Sequence, residues 1–187
     1  MMINHDELKN AFPSVLGDDI DVILNKINLE SEHPTVGKFE VILDREILSV
    51  PCRQYLDVTL YNHISESELT SKQKLIMDCF FTRHHNGYVR EAFLKKIIQS
   101  KEPWVVPYVF GVLGEYVIEL LDVIFRNLDN LYLPNYIEFI NANNQYYNLT
   151  KQRVVSYWNC YYRWLYKYKN DYVGFKILKF LKQHNSI

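Results

Sequence analysis

A chain of 187 residues with 48% hydrophobic and 23% charged side chains has room for one domain with a sizeable core and the make-up of an ordinary globular protein. Six Gly and six Pro leave no room for a long flexible linker. A net charge of −1 argues against a surface that binds polyanions over its whole extent.

The first thirty residues read as helical. "DELKNAF" is a short turn of helix stopped by Pro13, and Asp18 or Asp19 then caps "DIDVILNKI", where Ile20, Ile23 or Leu24, and Ile27 keep helical spacing. "SEHPTVGK" is loop chemistry. The period changes in "KFEVILDREILSVPCRQY", where Phe39, Val41, Leu43, then Ile47 or Leu48, and Val50 alternate around the turn-like "DRE" at 44–46. This predicts a β-hairpin that Pro51 ends or edges. A lone hairpin is not stable, so it must lie against helices.

From residue 70 the pattern is helical throughout. Thr70 with Gln73 fits a capping box opening "SKQKLIMDCFFTRHH", and Gly87 is placed to stop that helix. "YVREAFLKKIIQS" follows, with Val89, Phe93 (or Ala92) and Ile97 on one side. Pro103 and Pro107 mark the start of a helix through "YVFGVLGEYVIELLDVIFRNL", with a break or close contact at Gly111 and Gly114. Trp104 to Phe125 is long enough to span a bilayer, but Glu115, Glu119 and Asp122 would be costly in lipid, so a buried helical hairpin is expected. Pro134 opens "NYIEFINAN", Thr150 caps "TKQRVVSYWNCYYRWLYKY", and "GFKILKFLKQ" is a short closing helix.

The fold class is therefore mainly α: packed helical hairpins with a small N-terminal β-hairpin. A single domain over 1–187 is expected, with an acidic part (1–69) and a helical part (70–187) that carries a basic, aromatic C-terminal helix. "GYVREAFLKKI" resembles the first helix of a HEAT-type unit, "EPWVVPYVFGVLGE" the second, and "YVIELLDVIFRNL" the opening of a further one. The resemblance is confined to residues 87–128, and the chain shows no clean repeat period, so an irregular bundle is the alternative. It implies a stack of helical hairpins whose curved face binds proteins and, in some members, nucleic acid.

Charge is polarised along the chain. Residues 1–70 hold thirteen acidic and five basic side chains, a balance of −8, whereas residues 151–182 hold eight basic against the single Asp171, a balance of +7. The two ends either neutralise each other or leave one end for an anionic partner. Cys52, Cys79 and Cys160 form no CxxC pair, which speaks against a zinc site or a disulfide framework; each reads as a small buried hydrophobe. The first residues lack a basic start and an apolar stretch, so no signal peptide is read and the expected location is cytoplasmic. Abundant Asn, Lys and Ile, with fifteen Tyr, hint at an AT-rich bacterial genome.

Three groups of residues invite a functional reading. "TRHHNGYVR" at 82–90 sets His84 and His85 beside Arg83 and Arg90, a set that suits an anion or acid/base work; the plainer reading is a helix C-terminus. No HExxH or ExxH spacing accompanies it, and no metal or cofactor is assigned. Glu115, Glu119 and Asp122 fall at i, i+4, i+7 and would share a helix stripe, most economically facing the basic C-terminal helix. An enzyme reading would join His84, His85, Arg90 and Glu115, although no nucleophile or phosphate-loop motif demands one.

The third group is "SYWNCYYRWLYKYK" at 156–169, with seven aromatics and three cations. On one continuous helix Val154, Trp158, Tyr161, Leu165 and Tyr168 form a core stripe, broadened by Val155 and Tyr162. Tyr157, Asn159, Arg163, Trp164 and Lys167 then make or border a polar, basic strip, the expected contact surface for a partner. The leading expectation is a non-catalytic interaction protein, an adaptor or inhibitor such as a bacterial toxin-immunity protein, that binds another protein and no membrane. A nucleic-acid binder using the same helix is the alternative.

Overall fold

The computed structural model describes residues 9–27, 36–55, 58–63 and 68–185. Their contacts gather into two compact units, residues 1–97 and 98–187. The chain is mainly α with one small antiparallel hairpin, as its periodicity predicts. Residues 6–8 of "DELKNAF" and 31–35 of "SEHPTVGK" lie outside the described residues, while Ala11 and Phe12 are buried ahead of Pro13.

The first unit begins with α1 (Gly17–Ile27), which starts earlier than expected, so that Asp18 and Asp19 sit within its first turn. There their carboxylates face the positive end of the helix dipole. Ile20, Ile23 and Leu24 are buried. Strands β1 (Val36–Leu43) and β2 (Glu46–Arg53) pair antiparallel, with Val41 opposite Leu48 and Lys38 opposite Pro51, so β2 runs on past its proline. Only Asp44 and Arg45 separate the strands, both at positive φ (49° and 70°), the backbone that a two-residue hairpin turn requires. Phe39, Val41, Leu43, Leu48 and Val50 are buried, which settles the open choice in favour of Leu48; Ile47 faces out.

Short α2 (Val58–His63) precedes α3 (Ser71–Phe81), whose Thr70–Gln73 capping box is fully formed. The Gln73 amide also donates to Asp19 (2.9 Å), tying α3 to α1. The predicted extension of α3 to residue 85 does not occur. Helix geometry ends at Phe81, and Gly87 opens α4 (Gly87–Ile97) rather than stopping α3. Arg90, Phe93, Leu94 and Ile97 form the buried side of α4, while Val89 is half-buried.

The second unit is built around α5 (Val106–Leu113), all of whose residues are buried. A helix that is apolar all round is a core helix. It packs against α6 (Ile118–Arg126), α7 (Leu133–Ala142) and α8 (Asn144–Tyr157), and α9 (Val173–His184) packs against the same three. The expected break in the long apolar stretch falls at Gly114–Val117. Among the described residues no helix is long and apolar enough to cross a membrane.

Because of that break, Glu115 lies in the turn before α6 and cannot share a helix stripe with Glu119 and Asp122. Thr150 is not a cap either: it is buried within α8, its hydroxyl donating to the Tyr146 carbonyl (2.9 Å). Helix α9 approaches so closely that a Cβ on Gly174 would lie 2.9 Å from Val154 of α8 and 2.8 Å from the Tyr172 ring.

Candidate docking site

The turn at Thr82–Asn86 uses its polar residues to hold backbone. Arg83 is buried and donates to the carbonyls of Pro51 (Nε, 3.0 Å) and Cys52 (Nη2, 2.8 Å) at the end of β2. The Gln54 N–H donates to the Arg83 carbonyl (2.8 Å), and the His85 N–H donates to that of Gln54 (2.9 Å). Arg90, also buried, spans the carbonyls of His84 and His85 at 2.8 Å each. Carbonyls at a strand end and in a turn lack ladder or helix donors, and these guanidiniums supply them, Arg83 at the end of β2 and Arg90 in the turn.

His84 is buried, its Nδ1 accepting from the Asn86 N–H (2.9 Å), whereas His85 is exposed and stacks on Tyr55 and His84. The structure thus brings His84, His85 and Arg90 together around a turn; Glu115, buried, belongs to the second unit. Among the described residues no group of three or more His, Cys, Asp or Glu is placed to hold a metal ion. Nearby, burial raises the Asp78 carboxyl above its usual range, against the pull of Lys96 and of the Tyr61 hydroxyl that donates to it (2.9 Å).

The segment after α8 departs most from expectation. The α-helix stops at Tyr157, and Trp158–Tyr162 form a π-helical turn. A π turn closes i→i+5 instead of i→i+4, and the extra residue rotates everything beyond it by about 100°. Val154 and Trp158 precede the shift and are buried as predicted. Tyr161, Leu165 and Tyr168, predicted for the same core stripe, are instead 55%, 56% and 64% exposed. Their places are taken one residue along by Tyr162 and Tyr166, whose rings lie 5.3 and 5.8 Å from the fully buried Tyr172.

Three hydrogen bonds hold the new path. The Trp158 indole donates to the Tyr166 carbonyl (2.8 Å), the Tyr162 hydroxyl to that of Tyr116 (2.6 Å), and the Trp164 indole to that of Tyr161 (2.9 Å). Trp164 is thereby fixed at the end of the π turn, yet 82% exposed. An exposed indole so tethered presents a large apolar surface that has little conformational freedom to lose on docking.

Tyr161, whose carbonyl holds the indole, belongs to a cluster with Tyr116 and Tyr157 whose ring centroids lie 5.9–6.2 Å apart. Arg163 is exposed, donates to Asn159 (3.1 Å) and lies over the Trp158 ring (5.5 Å). Lys167 lies over Tyr168 (5.7 Å), and Lys169 over Trp158 (5.6 Å). Of the five residues predicted for the partner strip, Asn159, Arg163, Trp164 and Lys167 are exposed and Tyr157 is half-buried.

Sequence reasoning missed Tyr116, Tyr161, Leu165, Tyr168 and Lys169 as parts of this face. The first comes from a different turn, and the next three were assigned to the core by an unbroken helical period. Cys160 was expected to be buried but is exposed on the π turn, and Cys52 is half-buried; Cys79 alone meets the expectation. No protein family, curated protein or solved structure gives a match to the chain.

Proposed function

We propose that this chain is a non-catalytic interaction protein, an adaptor or inhibitor, that docks another protein on the face carried by residues 157–169. The observation that carries this reading is the tethered, exposed indole of Trp164, flanked by Tyr161, Leu165 and Tyr168 and by the cations Arg163, Lys167 and Lys169. Trp, Tyr and Arg dominate the energetics of protein interfaces, and charged neighbours at the rim raise the rate and selectivity of encounter. An immunity protein that blocks a toxin is one form such an inhibitor takes. A HEAT-like stack of hairpins would present the face in the same way.

The test replaces Trp164 with a photo-crosslinking aromatic amino acid, which keeps a ring at the anchor position of the full chain, and compares what is captured with capture through Tyr88, an exposed residue of the first unit. One defined protein trapped through position 164 and absent from the Tyr88 control is the expected result. Identical products at both positions would remove the face from consideration. Exposed rings beside lysines also favour a second reading, single-stranded nucleic acid stacked on Trp164 and Tyr168. Affinity that falls steeply with salt would support that reading, and a flat response would remove it.

A further inference from the structure

The chemistry of the docking face singles out a kind of partner, and this step rests on the docking reading above. Asp171 is the single carboxylate among residues 139–182, while eight cations lie between Lys151 and Lys182. Of these, Arg163, Lys167 and Lys169 belong to the turn that carries Trp164. Arg163 and Lys169 both stand over Trp158, held by the indole's face, and Asn159 further orients Arg163. On α9, Lys176, Lys179 and Lys182 are exposed, opposite the side that buries Ile177, Leu178 and Leu181. The apolar centre includes an aliphatic side chain, Leu165, more than half exposed beside the indole.

The positive charge is focal. Burial raises the phenols of Tyr162 and Tyr172 above the ordinary value, and the nearby carboxylates of Glu119 and Asp122 push Tyr162 and Tyr172, respectively, in the same direction. Carboxylates thus lie near the packed rings of Tyr162 and Tyr172. A phosphate backbone needs a continuous cationic track. A short peptide needs only one apolar anchor with carboxylates beside it, which Arg and Lys at a rim are suited to meet.

We infer that the face around Trp164 takes an acidic protein segment in which an aromatic or leucine side chain packs on the Trp164 indole while flanking carboxylates meet Arg163, Lys167 and Lys169. The hydroxyl-rich cluster of Tyr116, Tyr157 and Tyr161 offers further donors for backbone carbonyls of such a segment.

The experiment follows the three indole N–H signals of the full chain by NMR during titration with a synthetic peptide carrying a central Phe-Leu flanked by Glu and Asp. Its isostere with Gln and Asn, and an oligothymidylate, are the comparison probes. The indole N–H groups of Trp104, Trp158 and Trp164 bond to Glu102 and to the Tyr166 and Tyr161 carbonyls, and each signal is assigned by its loss when that residue is replaced with Phe. The expected result is a shift of the Trp164 signal with the acidic peptide, at least about tenfold tighter than with its isostere, a difference erased by combining R163Q, K167Q and K169Q.

Equal binding of the two peptides overturns the inference, as does no shift with either. A response to oligothymidylate without one to the acidic peptide overturns it in favour of nucleic acid. The docking reading fails separately: a captured protein with a neutral or basic contact surface would sink the acidic partner and leave the face intact. Loss of capture at position 164 would sink both.

Discussion

Two turns of this protein are rich in the residue types from which binding sites are made, and they use them in opposite ways. At Thr82–Arg90, in the first unit, the charged side chains Arg83 and Arg90 are buried against backbone carbonyls. At Trp158–Lys169, in the second unit, the Trp164 ring is exposed while its indole N–H is occupied with backbone, as is the hydroxyl of half-buried Tyr162. A buried cation on carbonyls explains itself as architecture. An exposed aromatic whose polar atom is already satisfied does not, and it is the better candidate for function.

The comparison breaks first at Arg90. If its guanidinium is architecture, Arg90→Ala leaves the buried His84 carbonyl and the part-buried His85 carbonyl without that donor and destabilises the fold by about 3 kcal/mol. Urea denaturation of the full chain measures this. Both bonds come from a single nitrogen, Nη1, which a lysine ammonium can replace only from a shorter side chain, so Arg90→Lys should recover part of the loss. A loss below about 0.5 kcal/mol, in the range of ordinary surface substitutions, would return this turn to the functional candidates.

Gly174 comes next, because the exposed turn depends on how α9 seats beneath it. An added methyl would meet Val154 and the Tyr172 ring at distances that real Cβ atoms do not tolerate. Gly174→Ala is expected to cost about 2 kcal/mol and lower Tm, through overpacking. An unchanged Tm would mean that α9 slides freely, and that the π turn above it is not held as described.

Much of the fold was legible because it rests on local rules. The capping box at Thr70–Gln73, the alternation of Phe39, Val41 and Leu43, and the break at Gly114 each follow from a few neighbouring residues. The end of the helix at Phe81 leaves no local mark because its cause is distant in sequence: Gln54 takes the Arg83 carbonyl and the His85 N–H, groups that a continuing helix would use. Arg163, Trp164 and Lys167 were recognised as candidates from residue type and wheel position. Tyr161, Leu165 and Tyr168 were assigned inward because a π turn leaves no mark on hydrophobic spacing; it is chosen by tertiary bonds, from Trp158 to Tyr166 and from Tyr162 to Tyr116.

Tyr172 sharpens the comparison from the inside. Its hydroxyl is buried and finds no hydrogen-bond partner among the described residues. Tyr172→Phe should therefore stabilise the protein by about 1 kcal/mol at neutral pH, since an unsatisfied buried hydroxyl is removed without loss of the ring. Burial, helped by Tyr162, Tyr166 and Asp122, holds this phenol well above its ordinary value near 10. With a folded-state pKa above the unfolded one, the folded chain keeps the proton longer. The associated stability is constant below pH 10 and is lost as pH rises beyond it. Denaturation from pH 8 to 11 should show a shallower alkaline decline for Tyr172→Phe than for the parent (an estimate of about one titrating group).

Trp164 carries the smallest expected effect on stability and decides the most. Its indole is exposed, and its hydrogen bond is to a carbonyl that water also reaches. Trp164→Ala should alter unfolding free energy by no more than about 0.5 kcal/mol. Capture of a partner through the neighbouring positions should nevertheless be lost, because truncating a central aromatic anchor removes most of what such a face contributes. A large stability loss would make the indole a structural clamp of the π turn, and both turns would then be architecture. A small one, together with lost capture, separates them: one turn holds the chain together, and the other is left for something else to hold.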